Sequence, residues 1–316
     1  ETFETPDEMR AMVESNPGNY DIVIADEATS RDLSQLKLIQ SINFEELEGK
    51  KHLDPRFWHP DLGVENPSFI PYVWGSTIAA YRADLLDLEE EEFSWNLFWD
   101  DRVEGMAAFS EEPTEIYAIA QARNGLPMHS TKEKDRRKAI DDVKSAMITN
   151  GVELGYSWDN LERLDSGELV LVHCYSGEAA VFAAENENIV YFLPKEGVQL
   201  WTDGFMIARD SERSEAAHRF IDFMLRPESA AATSNEIWFL TPNLAALDDI
   251  DPELLADEVF NPSEEYLAKC SVIPALDIAH VQANQLGMHE ILTAVEAARS
   301  SHEPFEESLL EVKGTH

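Results

Sequence analysis

Apolar residues follow two alternating patterns along the chain: short continuous runs, and stretches in which they recur every three or four positions. The short runs predict buried strands at residues 21–25, 70–81, 106–110, 169–175 and 189–192. The helical spacing predicts helices at residues 6–15, 132–149, 211–225 and, with breaks marked by prolines, 252–313. Strands that alternate with helices in this way indicate α/β lobes with largely parallel sheets and helices on both faces.

The segment at residues 194–208 combines a loop with an apolar run that predicts a buried strand. Trp201 and Asp203 lie two positions apart at the junction, so an extended chain places both side chains on one face. An aromatic face beside a carboxylate suits an organic cation, because both groups attract positive charge. The alternative, that Trp201 belongs to the core and Asp203 caps a turn, stays open at this point.

Two further strand ends carry similar chemistry. Glu112 and Glu115 follow the strand at 106–110, and Tyr175 and Glu178 lie at the end of the strand at 169–175. Ligands of α/β sheets collect at the carboxyl ends of the strands. We therefore expect these residues and the Trp201–Asp203 pair to form one cation pocket, although Glu112 could also serve only to favour a helix N-terminus.

Length and charge narrow the classes of protein. A chain of 316 residues favours two lobes over a single core. The sequence contains no apolar run of about 18 residues and begins without the pattern of a signal peptide. The formal net charge of −38 argues against binding to nucleic acids or anionic membranes. Because the acidic residues occur in every segment, we favour the solvated shell of a halophilic protein over a dedicated cation-binding surface.

Motifs for metal, cofactor or covalent chemistry are absent from the sequence. Cys174 and Cys270 are expected to be free thiols, with one disulfide left open, and no metal-ligand spacing surrounds them. The chain has no Gly-x-Ser-x-Gly elbow, P-loop or zinc motif, so we expect a protein without cofactors that is not an enzyme. Glu112 and Glu115 are the pair that acid–base catalysis would have to use.

Five segments in order resemble the polyamine-binding proteins of spermidine/putrescine ABC transporters. The segments are IPYVWG at 70–75, SWNLFW at 94–99, PKEG at 194–197, FMLRP at 223–227 and LTPNLAA at 240–246. Each segment alone is a weak indicator, whereas five with compatible spacing are a strong one. The resemblance covers roughly residues 2–246.

The resemblance implies a two-lobe, periplasmic-binding-protein-like α/β fold with a hinge and a ligand cleft between the lobes. The first lobe would hold residues 1–75 and 202–247, apparently without its first strand, and the second would hold residues 76–201 and 248–316. The implied function is capture of spermidine or putrescine for the permease of an ABC transporter. The implied location is periplasmic or extracellular, with a lipoprotein anchor left open, and a monomer is expected.

The resemblance also implies roles for individual residues. Trp201 and Asp203 match the aromatic–aspartate pair that holds the methylene chain and anchors an amine. Tyr175 matches a pocket position that is usually tryptophan. Glu115 matches the acid that meets the far amine, and Glu112 matches a second acid of spermidine-binding members. These five residues form the main part of the pocket that the resemblance predicts.

Other positions depart from the family pattern. Glu178 stands where putrescine-binding members have an aspartate, and Phe239 replaces a pocket tyrosine, so its hydroxyl is lost. Ala28 stands in place of a pocket tyrosine or serine. Because the chain has more acids than putrescine needs, we hypothesise a longer polyamine such as spermidine. The alternatives are a binding protein of the same fold for another cationic solute, and a truncated homologue that no longer binds.

Overall fold

The computed structural model of the protein describes residues 1–3, 6–57, 68–273 and 278–302. The α-helices of these residues are α1 (Pro6–Ser15), α2 (Glu27–Gln35), α3 (Pro113–Arg123), α4 (Glu133–Thr149), α5 (Ser157–Ser166), α6 (Ser176–Glu185), α7 (Ser214–Met224), α8 (Pro227–Ile237), α9 (Pro252–Ala256), α10 (Glu264–Leu267) and α11 (Ile278–His302). The strands are β1 (Ile22–Asp26), β2 (Ile39–Gln40), β3 (Ile70–Arg82), β4 (Ala107–Ser110), β5 (Glu153–Gly155), β6 (Leu171–Tyr175), β7 (Ile189–Phe192), β8 (Gln199–Ala208) and β9 (Ser271–Val272).

The strands join into one continuous ladder in the order β1-β8-β3-β6-β4-β5, with β2 and β9 also paired to β8 and β7 also paired to β3. Among the described strands, five of eight pairings are antiparallel, so the prediction of largely parallel sheets is wrong. Each antiparallel pairing includes β3 or β8, and the local apolar pattern does not encode the direction of these strands relative to their neighbours. Helical connections produce the parallel pairs β4–β5 and β4–β6.

Strands β3 and β8 form the connection through the middle of the molecule. They pair antiparallel from Ile70 opposite Phe205 to Thr77 opposite Gln199. Beyond Thr77, β3 continues to Arg82 and pairs with β6 and β7 instead. β3 therefore leaves its pairing with β8 and enters a second set of pairings within the same sheet.

The buried apolar side chains form one large cluster and two smaller ones. On β3, Ile70 belongs to a small cluster, whereas Trp74 belongs to the large one. On β8, Leu200 belongs to the large cluster and Phe205 to the same small cluster as Ile70. Both strands therefore pass from the small cluster to the large one, and the change occurs where the two strands are paired with each other.

The C-terminal region differs from its helical prediction. Between α10 and α11 the chain forms β9, which pairs parallel with β8 through Ser271 and Val272. A two-residue strand is too short to produce a periodic pattern in the sequence. Residues 303–313 of the predicted helical region lie outside the described residues.

Within the described chain no helix is long and apolar enough to cross a membrane, and Cys174 and Cys270 are both free.

Candidate functional site

Two aspartates face each other where β1 and β8 end their pairing. Asp26, the last residue of β1, lies directly opposite Asp203 in the antiparallel register. Asp26 also caps α2, and its carboxylate accepts hydrogen bonds from the backbone N–H and the hydroxyl of Thr29 at 3.0 and 2.5 Å. Like charges directly opposite in a ladder repel each other. A cation bound between the two carboxylates would reduce this repulsion.

A second pair of carboxylates begins helix α3. Glu112 is the N-cap of this helix, and Glu115 lies in its first turn with only 4% of its surface exposed. The Glu115 carboxylate accepts hydrogen bonds from Ser110 Oγ at 3.1 Å, Gln199 Nε2 at 3.0 Å and Thr77 Oγ1 at 3.4 Å. Strands β3, β4 and β8 thus all contribute donors, which fix the orientation of this buried acid.

Three aromatic rings pack edge to face beside the carboxylates. The Trp201 ring contacts both Tyr175, with centroids 5.8 Å apart, and Phe239, with centroids 4.9 Å apart. Glycines make this approach possible, because a Cβ atom on Gly75 would lie 2.4 Å from Trp201 Cζ2 and one on Gly177 would lie 2.6 Å from the Phe239 ring. The aromatic group therefore depends on the absence of side chains on β3 and α6.

Glu178 lies next to Tyr175 on α6. Its carboxylate accepts a hydrogen bond from the Ser157 hydroxyl, whose oxygen in turn accepts from the Tyr175 backbone N–H at 3.2 Å. Burial raises the pKa of Glu178, and the Ser157 hydrogen bond opposes that rise. Ser157 therefore links the Glu178 carboxylate to the backbone of Tyr175.

The electrostatic coupling joins these acids into one series. Burial, and then repulsion from Glu112, raises the pKa of Glu115 to about 8. Burial, and then repulsion from Asp26, raises the pKa of Asp203 to about 7. Glu112 is an exposed residue, but the protein around its carboxyl group desolvates it and so raises its pKa. Repulsion from Asp26 adds to the rise. The pKa of Tyr175 is raised first by Glu115, then by burial and the other acids.

The acids of the site have no cationic partner among the described residues. Within the described parts of the chain, no lysine or arginine forms an ion pair with any of Asp26, Glu112, Glu115, Glu178 and Asp203. The imidazole of His173 lies 3.8 Å from Glu115, but burial lowers the pKa of His173 to about 3, so the ring is neutral. Carboxylates in such surroundings favour a bound cation from solution.

The structure brings the predicted residues together in one region, although their roles toward a ligand stay predictions. Trp201, Tyr175 and Phe239 form the aromatic group, and the acids are coupled as described. Sequence reasoning missed Asp26, which couples to both Glu112 and Asp203. Its position at the carboxyl end of a predicted strand is the signal that would have identified it.

The chain also matches known proteins. A family model described as bacterial extracellular solute-binding protein matches residues 1–261. An α/β fold in which β3 and β8 pass from one large apolar cluster to the smaller ones, with a polar site near the crossing, is typical of two-lobe solute-binding proteins. The chain belongs to the bacterial extracellular solute-binding protein family. The prediction of a binding protein rather than an enzyme is confirmed by this family.

Curated relatives share about a quarter of their residues with the chain. The spermidine/putrescine-binding periplasmic protein of Escherichia coli (strain K12) is 27% identical over 266 residues, which is 84% of this chain and 75% of that protein. The putrescine/agmatine-binding protein of Pseudomonas aeruginosa is 25% identical over 291 residues, covering 85% of this chain and 77% of that protein. The predicted resemblance to the polyamine-binding proteins is therefore confirmed.

Solved structures share the fold. A spermidine/putrescine ABC transporter substrate-binding protein from Streptococcus pneumoniae superposes with a TM-score of 0.82 at 22% identity, covering 93% of this chain and 90% of that one. A binding protein from Agrobacterium tumefaciens in complex with glucopine gives a TM-score of 0.73 at 19% identity, with 95% and 88% covered. The predicted two-lobe, periplasmic-binding-protein-like fold is confirmed.

A methyl group on Gly75 should disrupt the aromatic group. We expect Gly75→Ala to lower the free energy of unfolding by about 1–3 kcal/mol, because the new Cβ overlaps the Trp201 ring. Denaturant titration and near-ultraviolet circular dichroism measure the two effects. Gly177→Ala is the matched variant, since it pushes on Phe239 rather than Trp201. A Gly75→Ala protein with wild-type stability and aromatic spectrum would contradict this packing.

The raised pKa of Glu115 predicts how stability depends on pH. Between the pKa of an unfolded glutamate and about 8, the native state holds a proton on Glu115 that the unfolded chain has lost. Stability should therefore fall as pH rises across this window, with a contribution of up to about 1.4 kcal/mol per pH unit. Glu115→Gln should remove that contribution, whereas Glu236→Gln, at an exposed position, should not. An unchanged pH slope in Glu115→Gln would refute the prediction.

Proposed function

We propose that this protein captures a polyamine in the cleft between its lobes and passes it to an ABC transporter. The observation that carries the proposal is the set of coupled carboxylates, which have no cationic partner among the described residues and lie close to three packed aromatic rings. A polyamine supplies both missing components, which are several positive charges and an apolar methylene chain. The names of the curated relatives support the same class of ligand.

In this proposal the two ends of the ligand meet different pairs of acids. One ammonium lies against Asp203 and Asp26, and the far end is directed toward Glu112 and Glu115. The methylene chain passes the Trp201 ring, which provides an apolar surface as well as attraction for the cation. Burying each ammonium is costly unless a carboxylate and further acceptors receive its hydrogens. Two pairs of acids meet that requirement.

Tyr175, Phe239 and Glu178 complete the proposed pocket. Tyr175 is coupled to the acids on both sides and would turn its hydroxyl toward the ligand chain. Phe239 holds the Trp201 ring from the other side. Glu178 would act through Tyr175, because its hydrogen bond to Ser157 fixes the same segment of backbone.

The number of acids favours spermidine over putrescine. A diamine needs one carboxylate at each end, whereas this site offers Asp203, Asp26, Glu112 and Glu115 as well as Glu178. Charged hydrogen bonds contribute about 1.5–3 kcal/mol each, and a cation over an aromatic face adds about 0.5–2 kcal/mol. After the costs of binding, micromolar affinity is within reach of two anchored ends.

We infer that the lobes comprise residues 1–75 with 202–247, and residues 76–201 with 248–316. The change of apolar cluster along β3 and β8 supports boundaries near residues 75 and 202. The end of the first lobe is less sharply marked, because Ala230 and Leu240 pack into the large cluster. Residues 303–316 of the second lobe lie outside the described part of the chain.

The high negative charge and the family suggest the setting of this function. A net charge of −38 spread over the chain supports a halophilic protein whose acidic shell needs salt. We propose that the protein acts outside the cytoplasm as a monomer and meets the permease subunits of its transporter there. The family description, extracellular solute-binding protein, supports that location.

A different cationic solute is the second candidate ligand. The relative from Pseudomonas aeruginosa is named for agmatine as well as putrescine, and the glucopine-bound structure shares the fold. The same acids could receive a guanidinium, which offers five donors in a fixed plane. Direct competition between agmatine and spermidine separates these candidates.

Titration calorimetry in molar salt tests the proposal. We expect spermidine to bind, 1,4-butanediol (the uncharged analogue of putrescine) not to bind, and the affinity to rise with pH as Asp203 and Glu115 ionise. Asp203→Asn and Asp26→Asn should each weaken spermidine binding at least about tenfold, because each removes a charged hydrogen bond. Asp248→Asn, at an exposed position, controls for the loss of one charge.

Two results would count against parts of this proposal. Putrescine binding about tenfold more tightly than spermidine would reject the longer ligand. No binding by any polyamine in a folded protein would reject polyamine capture and leave a homologue of the same fold that does not bind polyamines.

A further inference from the structure

Behind Glu115 lies a small cavity whose lining is half polar and half apolar: Thr77, Glu115, His173 and Gln199 face Trp95, Ala118, Ile119 and Met128. Its volume is about 10 Å³, which is enough for the centre of one water molecule. Two buried atoms in its lining, His173 Nε2 and Gln199 Oε1, have no hydrogen-bond partner in the described residues, and their side chains are 0% and 3% exposed. Unpartnered polar atoms of this kind are costly, so the cavity needs a polar occupant.

The hydrogen-bond network fixes which of these atoms donates. The backbone N–H of Ser110 donates to His173 Nδ1 at 3.1 Å, so Nδ1 is an acceptor and carries no proton. The Ser110 hydroxyl lies 2.8 Å from the same Nδ1 and 3.1 Å from Glu115 Oε2, and its single proton serves one of these two acceptors. In a neutral imidazole the proton then lies on Nε2, which becomes a donor. The Gln199 amide nitrogen faces the acceptor Glu115 at 3.0 Å, so Gln199 Oε1 is an acceptor. The cavity therefore presents one donor and one unused acceptor.

Glu115 supplies the third group. His173 Nε2 lies 3.8 Å from Glu115 Oε2, which is too far for a direct hydrogen bond. A water between them can accept from His173 Nε2 and donate to Gln199 Oε1 and Glu115 Oε2. This arrangement satisfies all three groups at once.

We propose that His173 and Gln199 hold a single buried water against Glu115, and that this unit positions Glu115 for the ammonium end of the ligand. His173 and Gln199 are positioning residues, since they act through Glu115 and do not touch the ligand. The part about the ligand rests on the proposed function, whereas the water itself does not.

The unit also affects the ionisation of Glu115. A water that donates to a carboxylate stabilises the charged form, so its loss raises the pH at which Glu115 ionises. The titratable groups that face Glu115 are Glu112 on its own helix and His173 and Tyr175 on β6, while Thr77 and Gln199 are neutral. His173 stays uncharged because burial lowers its pKa. The water would thus stabilise the ionised Glu115 carboxylate by hydrogen bonding, without adding a charge of its own.

Ala118, which lines the cavity and is 2% exposed, offers a matched test. Ala118→Val adds two methyl groups beside the cavity, whereas Ala118→Thr has nearly the same shape with a hydroxyl in place of one of them. We expect a high-resolution crystal structure of the wild-type protein to contain the water. We expect Ala118→Val to lack it, to weaken spermidine binding about fivefold near neutral pH and to raise the ionisation pH of Glu115. Ala118→Thr should stay closer to wild type in both properties.

Carbon-13 NMR of labelled glutamate carboxyls reports the ionisation pH without any ligand, with the Glu115 signal assigned by its loss in Glu115→Gln. His173→Asn provides an independent variant, because its amide oxygen replaces the acceptor Nδ1 while the Nε2 donor is removed. It should raise the ionisation pH as Ala118→Val does. An empty cavity in the crystal, or equal ionisation pH in wild type, Ala118→Val and His173→Asn, would overturn the inference.

The readouts separate this inference from the proposed function. If the wild-type protein does not bind spermidine, polyamine capture fails, yet the crystal and the NMR titration still decide whether the water supports Glu115. If spermidine binds but the ionisation pH is unchanged in the variants, polyamine capture stands and the positioning role of His173 is rejected.

Discussion

The mutual repulsion of carboxylates that share one poorly solvated region is the constraint on which the site depends. Asp203, Asp26 and Glu115 are held in place by strand pairing, capping and hydrogen bonds rather than by cationic side chains. The raised pKa values of Asp203 and Glu115 are the cost of that arrangement. A ligand that carries several positive charges would lower this cost, so the arrangement favours a cation over a neutral or anionic ligand. The fold thus holds negative charge in one region without balancing it by positive side chains of the described residues.

The antiparallel ladder of β3 and β8 positions the residues of this site. This ladder passes between the two apolar cores, and the site residues lie where it crosses. Trp201 and Asp203 are on β8, and Gly75, on β3, leaves room for the Trp201 ring. Gln199, also on β8, reaches Glu115 on α3. Movement of one lobe relative to the other would therefore change the distances between the acids and the rings.

Local patterns in the sequence predicted much of this structure. Period-two alternation placed Trp201 and Asp203 on one face, and the strand ends indicated Glu112, Glu115 and Tyr175 as neighbours. The local pattern could not give strand direction, so the antiparallel ladder of β3 and β8 was missed.

Long-range register explains the residues that sequence reasoning missed. Asp26 lies opposite Asp203 only because β1 pairs with β8 in one register, and no pattern near Asp26 encodes that distant partner. His173 looks like any residue of a buried strand until Ser110 and Gln199 are placed around it. The roles of these residues arise from tertiary contacts.

The crystal structure of the protein with spermidine tests the central claim most directly. The account predicts one terminal nitrogen within about 3 Å of the Asp203 carboxylate, the other end directed toward Glu112 and Glu115, and the methylene chain along the Trp201 ring. Spermidine bound outside this region, or bound with no nitrogen in contact with Asp203, would contradict the account.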